Sequence, residues 1–121
     1  MACKVIPFHQ QDADREIKIL QTLPKHPNVV TFHRAYRKAR NLYIFLELCD
    51  QGDMTEFIRR RSYRNQETEF AVLTTSEAQY VVRSIVEGLA FLGQNRIMHR
   101  DIKLDNIFVK LKDGYRITSR K

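Results

Sequence analysis

The sequence predicts an α+β fold, a small antiparallel sheet carrying one helix and joined through a hinge-like turn to a helical part. Three observations predict it. The strand-like runs "VVTFHRAYRK" and "NLYIFLEL", rich in β-branched and aromatic residues, are complete by Leu48. The longest helical pattern, "TTSEAQYVVRSIVEGLAFLG", begins only at Thr74. Between them "CDQGD" has the composition of a turn. At 121 residues the chain has room for one domain with a modest core.

Each element has its own local cause. "ACKVI" alternates enough for a short strand, which Pro7 ends. A helix follows, with Asp12 as its cap and acidic Asp14 and Glu16 in its first turns, where the dipole favours them; Glu16, Leu20 and Leu23 share a face. "LPKHPN" breaks it with two prolines. The two strands that come next flank a polar turn around Ala39 to Asn41 and form an antiparallel hairpin. From Met54 to about Arg61 runs a short helix with a basic end, and "SYRNQETEF" is a polar loop. Thr74 and Glu77 make a capping box for the long helix. Val82, Ile85, Val86 and Leu89 form its apolar stripe, and Gly93 marks its end. A strand "NIFV", a turn at Asp113 and Gly114, and a strand "YRIT" complete the pattern.

Composition excludes some functions. With 43% apolar and 29% charged residues the chain is too apolar for a disordered protein. Lys and Arg total 21 against 14 Asp and Glu, a net +7 that suits either a nucleic acid or the handling of a polyphosphate. The cations are spread, at Arg34, Arg37, Lys38, Arg40 and Arg59 to Arg61, and no stretch interleaves them with aromatics in a stacking pattern. Solvated faces are therefore expected, with no nucleic-acid partner. Cys3 and Cys49 lie far apart without a CxxC or a His cluster, which predicts neither disulfide nor zinc and fits a reducing compartment. The apolar run "LYIFL" is far too short to span a bilayer, and the first residues hold no signal core. A soluble, cytoplasmic protein is expected.

The stretch "IMHRDIKLDNIFVK" carries chemistry. A hydroxyl that attacks a phosphate needs a carboxylate to orient it and accept its proton, a cation for the spreading charge, and oxygen ligands for a divalent metal. One short loop offers all three: Asp101 for the hydroxyl, Lys103 for the phosphate and Asn106 for the metal.

His99, Arg100, Asp101 and Asn106, with Ile102 where Leu is usual, resemble the catalytic loop H-R-D-L-x-x-x-N of the eukaryotic protein kinases. Lys103 is similar to the serine/threonine branch. The resemblance extends over nearly the whole chain. "ACKV" resembles the V-A-I-K strand, which implies that Lys4 holds the α- and β-phosphates of ATP, and Glu16 in "REIKIL" resembles the helix glutamate that pairs with that lysine. "LYIFLELCDQGDM" resembles the strand and hinge of the adenine pocket. On that match Leu46 is the gatekeeper, the backbone of Glu47 and Cys49 bonds the adenine, Asp53 reaches the ribose and Phe108 forms the pocket floor. The implied architecture is kinase-like: part of an N-lobe over 1–46, a hinge over 47–53 and the start of a helical C-lobe over 54–121, with the catalytic loop at 99–106. Implied cofactors are ATP and Mg²⁺, with a protein Ser or Thr hydroxyl as acceptor. No oligomeric state follows.

Parts of the family pattern have no counterpart. Only three residues precede Lys4, where a Gly-rich loop is expected, and Ser119-Arg120-Lys121 follows "YRIT" in place of D-F-G. The expectation is a serine/threonine kinase domain cut at both ends, with little transfer activity as given and a bare apolar stripe on its long helix. The alternative is a non-catalytic kinase-like binding module.

Overall fold

The structure is a computed structural model that describes residues 1–7, 10–65, 73–99, 101–110 and 114–117. In chain order the elements are β1 (Ala2–Pro7), α1 (Gln10–Thr22), β2 (Phe32–Lys38), β3 (Asn41–Leu46), α2 (Met54–Asn65), α3 (Thr75–Gln94), a 3₁₀ turn (Leu104–Asn106), β4 (Ile107–Lys110) and β5 (Gly114–Ile117).

The first three strands form an antiparallel sheet in the order β1-β3-β2. Lys4 lies opposite Ile44 and Ala2 opposite Leu46, so Lys4 and Ala2 face the same side as the buried Ile44 and Leu42. That side packs on α1 through Leu20, with Ile17 and Ile6 closing the cluster. Arg37 of β2 pairs with Asp14 of α1 on this side as well. The turn between β2 and β3 places Ala39 in the left-handed region (φ 54°), and the ladder shifts register between Phe32 and Arg34. α1 starts at Gln10, so Asp12 lies inside its first turn and is not the cap. The prolines of "LPKHPN" do end it. β2 begins only at Phe32, because Val29 and Val30 turn inward and are buried.

A second core lies below. Val29, Met54, Val81, Leu92, Ile107, Val109 and Tyr115 pack together, so the loop before β2 plugs into the half of the molecule built from α2, α3 and the β4-β5 hairpin. Asn28 secures the plug, its Nδ2 donating to the Tyr115 carbonyl at 3.1 Å.

α2 runs on to Asn65, past the expected Arg61, taking in the start of the expected "SYRNQETEF" loop; the rest of that loop lies outside the described residues. Arg61 instead forks onto Glu77 of α3, one arm at 3.0 Å, and this bond holds the Glu77 carboxyl below its ordinary range. The capping box forms as expected: Glu77 N–H donates to Thr74 Oγ1, and Thr74 N–H to Glu77 Oε1, both at 3.1 Å.

α3 departs from its expected stripe. Its buried positions are Val81, Ser84, Gly88 and Leu92, while Val82 and Val86 are 59% and 57% exposed. Ile85 and Leu89 are only half-buried against the core. The helix is apolar on two sides, and α2 with the hairpin selected the one that carries small Ser84 and Gly88, where close packing is possible. The expected exposed patch is thus present at Val82 and Val86. Gly93 lies within the last turn. The helix ends instead at Asn95, whose Nδ2 donates to the Phe91 carbonyl at 2.9 Å, and Arg96 takes the left-handed conformation (φ 61°) usual for glycine there.

β4 begins at Ile107, because Asn106 belongs to the 3₁₀ turn. Asp113 and Thr118 lie outside the described residues. No described helix is long and apolar enough to cross a membrane.

Candidate active site

Where the sheet meets the lower half, a cleft of about 480 Å³ opens. β1 supplies Lys4 because strand alternation turns it to the α1 side. α1 supplies Glu16, one turn before the buried Leu20. The end of β3 and the turn after it supply Leu46, Glu47 and Cys49, and the lower wall is Asn106 and Phe108. Seven of the ten site residues expected from sequence therefore line one cavity. Among the described residues Lys4 and Glu16 share it without an ion pair between them.

The hinge is fixed by backbone bonds. Gly52 N–H closes a turn onto the Cys49 carbonyl at 3.0 Å. Gly52 has φ 70°, a conformation that strains any residue with a Cβ, so glycine is favoured there. Val109 then bonds both neighbours, donating to Gly52 at 2.9 Å and accepting from Gln51 at 3.1 Å. The hinge is thereby stitched to β4, and β4 continues from the loop that carries Asp101. Glu47 N–H donates to Thr31 at 2.8 Å, so a contact with a base would fall to its carbonyl; its carboxylate receives Thr31 N–H at 3.0 Å and lies 3.5 Å from Lys110 Nζ.

The loop itself is held from within. Asp101 N–H donates to His99 Nδ1 at 3.2 Å, and Lys103 Nζ stands 3.6 Å from Asp101 Oδ2. Asn106, 8% exposed, donates its Nδ2 to the Asp101 carbonyl at 2.8 Å. With the amide nitrogen committed, the atom that Asn106 has for the cleft is Oδ1, a hard oxygen suited to Mg²⁺. A cavity lined by apolar side chains together with a lysine and a hard oxygen fits a nucleotide triphosphate and its metal.

Asp53, Asp101 and Lys103 do not line the cavity. Asp53 bridges to Phe108 in the backbone and caps α2, its Oδ1 accepting from Glu56 N–H at 2.9 Å. The ribose role expected of it therefore competes with a structural one. Sequence reasoning missed Thr55, whose hydroxyl donates to Asp105 at 2.6 Å and ties α2 to the loop that carries Asp101. It also missed Ala2 and Val30 in the cavity wall, of which Ala2 was readable from strand alternation with Lys4.

The family model described as protein kinase domain matches residues 1–118. The serine/threonine-protein kinase polo of Drosophila melanogaster is 41% identical over 95 residues, 78% of this chain and 15% of that protein. The mouse serine/threonine-protein kinase PLK2 is 36% identical over 115 residues, 89% of this chain and 15% of its own length. Calcium-dependent protein kinase 8 of Oryza sativa subsp. japonica is 32% identical over 121 residues, covering 93% and 21% respectively. The chain belongs to the protein kinase family, serine/threonine type. It spans between about a seventh and a fifth of the length of these relatives.

Proposed function

We propose that the cleft binds ATP with Mg²⁺ and that the catalytic loop directs the γ-phosphoryl group to a serine or threonine hydroxyl of a protein. The observation that carries this reading is the sharing of one apolar cavity by Lys4, Glu16 and Asn106, with Asn106 bonded to the Asp101 carbonyl at 2.8 Å. A volume of about 480 Å³ lies within the usual range for small-ligand pockets.

Each residue then has a role. Leu46 is the gatekeeper beside the base, Phe108 forms the floor beneath it, and the hinge backbone at Glu47 and Cys49 orients it. Lys4 neutralises the α- and β-phosphates, with Glu16 in reach to hold the lysine once it is engaged. Bound Mg²⁺ would supply charge neutralisation at the phosphates, and Asn106 Oδ1 would be among its ligands. Asp101 orients the acceptor hydroxyl and takes its proton, and Lys103 beside it offsets charge that develops on the phosphoryl oxygens.

The test is titration of a fluorescent ATP analogue with and without Mg²⁺. Binding should weaken at least about tenfold in Lys4→Met, the loss of one charge-assisted contact. Mg²⁺ should strengthen binding to the parent chain and have little effect on Asn106→Ala. Binding indifferent to both substitutions would sink the proposal. A transfer assay with Asp101→Asn as control separates a kinase from a non-catalytic kinase-like module.

A further inference from the structure

The outer face of the three-stranded sheet has a composition that nucleotide binding does not explain. Leu42 and Ile44 point toward α1, so Tyr43 and Phe45 of β3 point the other way. Register places Val5 of β1 and Tyr36 of β2 beside Tyr43, and Arg34 of β2 beside Phe45. Lys38 follows on the same side of β2. Thus Arg34, Tyr36 and Lys38, which look unremarkable as "RAYRK", interleave cation and aromatic on one face, contrary to the absence of such a pattern expected from the sequence.

The side chains form a ladder. Tyr36 and Tyr43 stack with centroids 5.1 Å apart and planes 11° from parallel, Tyr36 and Phe45 at 5.7 Å and 21°, and the Arg34 guanidinium lies 5.0 Å over the Phe45 ring. Val5 and Tyr36 remain 52% and 46% exposed. An apolar surface of this kind, rimmed by cations, marks an interaction site. No carboxylate occupies any of these register positions.

We propose that this face docks an acidic, extended segment of a partner protein. Charge complementarity commits the occupant. Arg34 and Lys38 stand four residues apart on β2, about 13 Å at strand rise, which suits two acidic side chains at the same spacing on an extended peptide. The ring geometry argues against single-stranded nucleic acid. Rings stacked on one another cover the surfaces on which bases would stack.

The experiment uses fluorescence anisotropy of a labelled Glu-Thr repeat peptide, with labelled oligothymidylate as competitor class. The proposal expects peptide binding that falls with salt and weakens at least about tenfold in the Arg34→Gln/Lys38→Gln double variant. Tyr36→Ser should weaken it too. Circular dichroism and the thermal midpoint establish that these surface variants fold. Peptide binding that is absent, unchanged by the variants, or weaker than oligothymidylate binding overturns the proposal. So does self-association that Tyr36→Ser abolishes while no peptide binds. None of Arg34, Tyr36, Lys38, Tyr43 and Phe45 lines the cleft, so a failure of ATP binding there leaves peptide docking standing, and a failure of docking leaves the cleft untouched.

Discussion

Replacing Asn106 by Ala should loosen the loop that carries Asp101, by an amount the structure bounds. The side chain is nearly buried and gives one 2.8 Å bond to the Asp101 carbonyl, at the base of the 3₁₀ turn. Removing it strands a half-buried carbonyl, at a cost of about 1–3 kcal/mol, and leaves a small void besides. The bond spans five residues, so the loss falls on the loop and on its tie to β4 at once. Asn106→Asp is the informative partner. It keeps volume and an oxygen ligand, but it loses the donor and sets a second carboxylate against Asp101, which is within 3.4 Å of the amide nitrogen. Both variants should therefore unfold earlier in urea, followed by tyrosine fluorescence since the chain has five Tyr and no Trp. Asn106→Ala alone should also lose the Mg²⁺ dependence of nucleotide binding. A fall in stability below about 0.5 kcal/mol for both variants would refute the reasoning, since the Asp101 carbonyl would then have to be solvated without Asn106.

Two further outcomes follow from other parts of the molecule. Glu77 has a folded pKa below its ordinary 4.5, chiefly through its bond to Arg61. A depressed carboxyl stabilises the fold above its unfolded pKa and loses that contribution as pH falls through the lower folded value. The stability gap between the parent and Glu77→Gln should accordingly be flat near neutral pH and close below about pH 4.5; a gap unchanged down to pH 3 would contradict this. Leu92, with no exposed surface and neighbours Val81, Ile107 and Tyr115 in its cluster, should cost about 2–5 kcal/mol when replaced by Ala, read from the shift in the urea midpoint. Val82→Ala on the exposed side of the same helix should shift it far less.

Much of this was legible in the chain. Strand alternation and β-branched runs located β2 and β3, the spacing of Thr74 and Glu77 located the start of α3, and "HRDIKLDN" held the order of groups that phosphoryl transfer needs. These are signals a few residues long, written by backbone geometry and by the chemistry of one loop. What failed was anything decided by a distant neighbour. α3 presents two apolar sides, and periodicity alone could not say which one α2 and the hairpin would cover. The same holds for Thr55 and Asp105, fifty residues apart and bonded at 2.6 Å.

The sequence by itself determined most of the kinds of element and the capping box, because each depends on contacts within about one turn or one hairpin. Only the tertiary structure decided that Lys4, Glu16, Leu46 and Asn106 line one cavity. It also decided that Arg34 and Tyr36 join Phe45 and Tyr43 in an outward ladder. The physical reason is that strand register and helix docking are chosen by burying Leu20, Leu42 and Ile44 together, and every other side chain on those elements goes where that burial sends it.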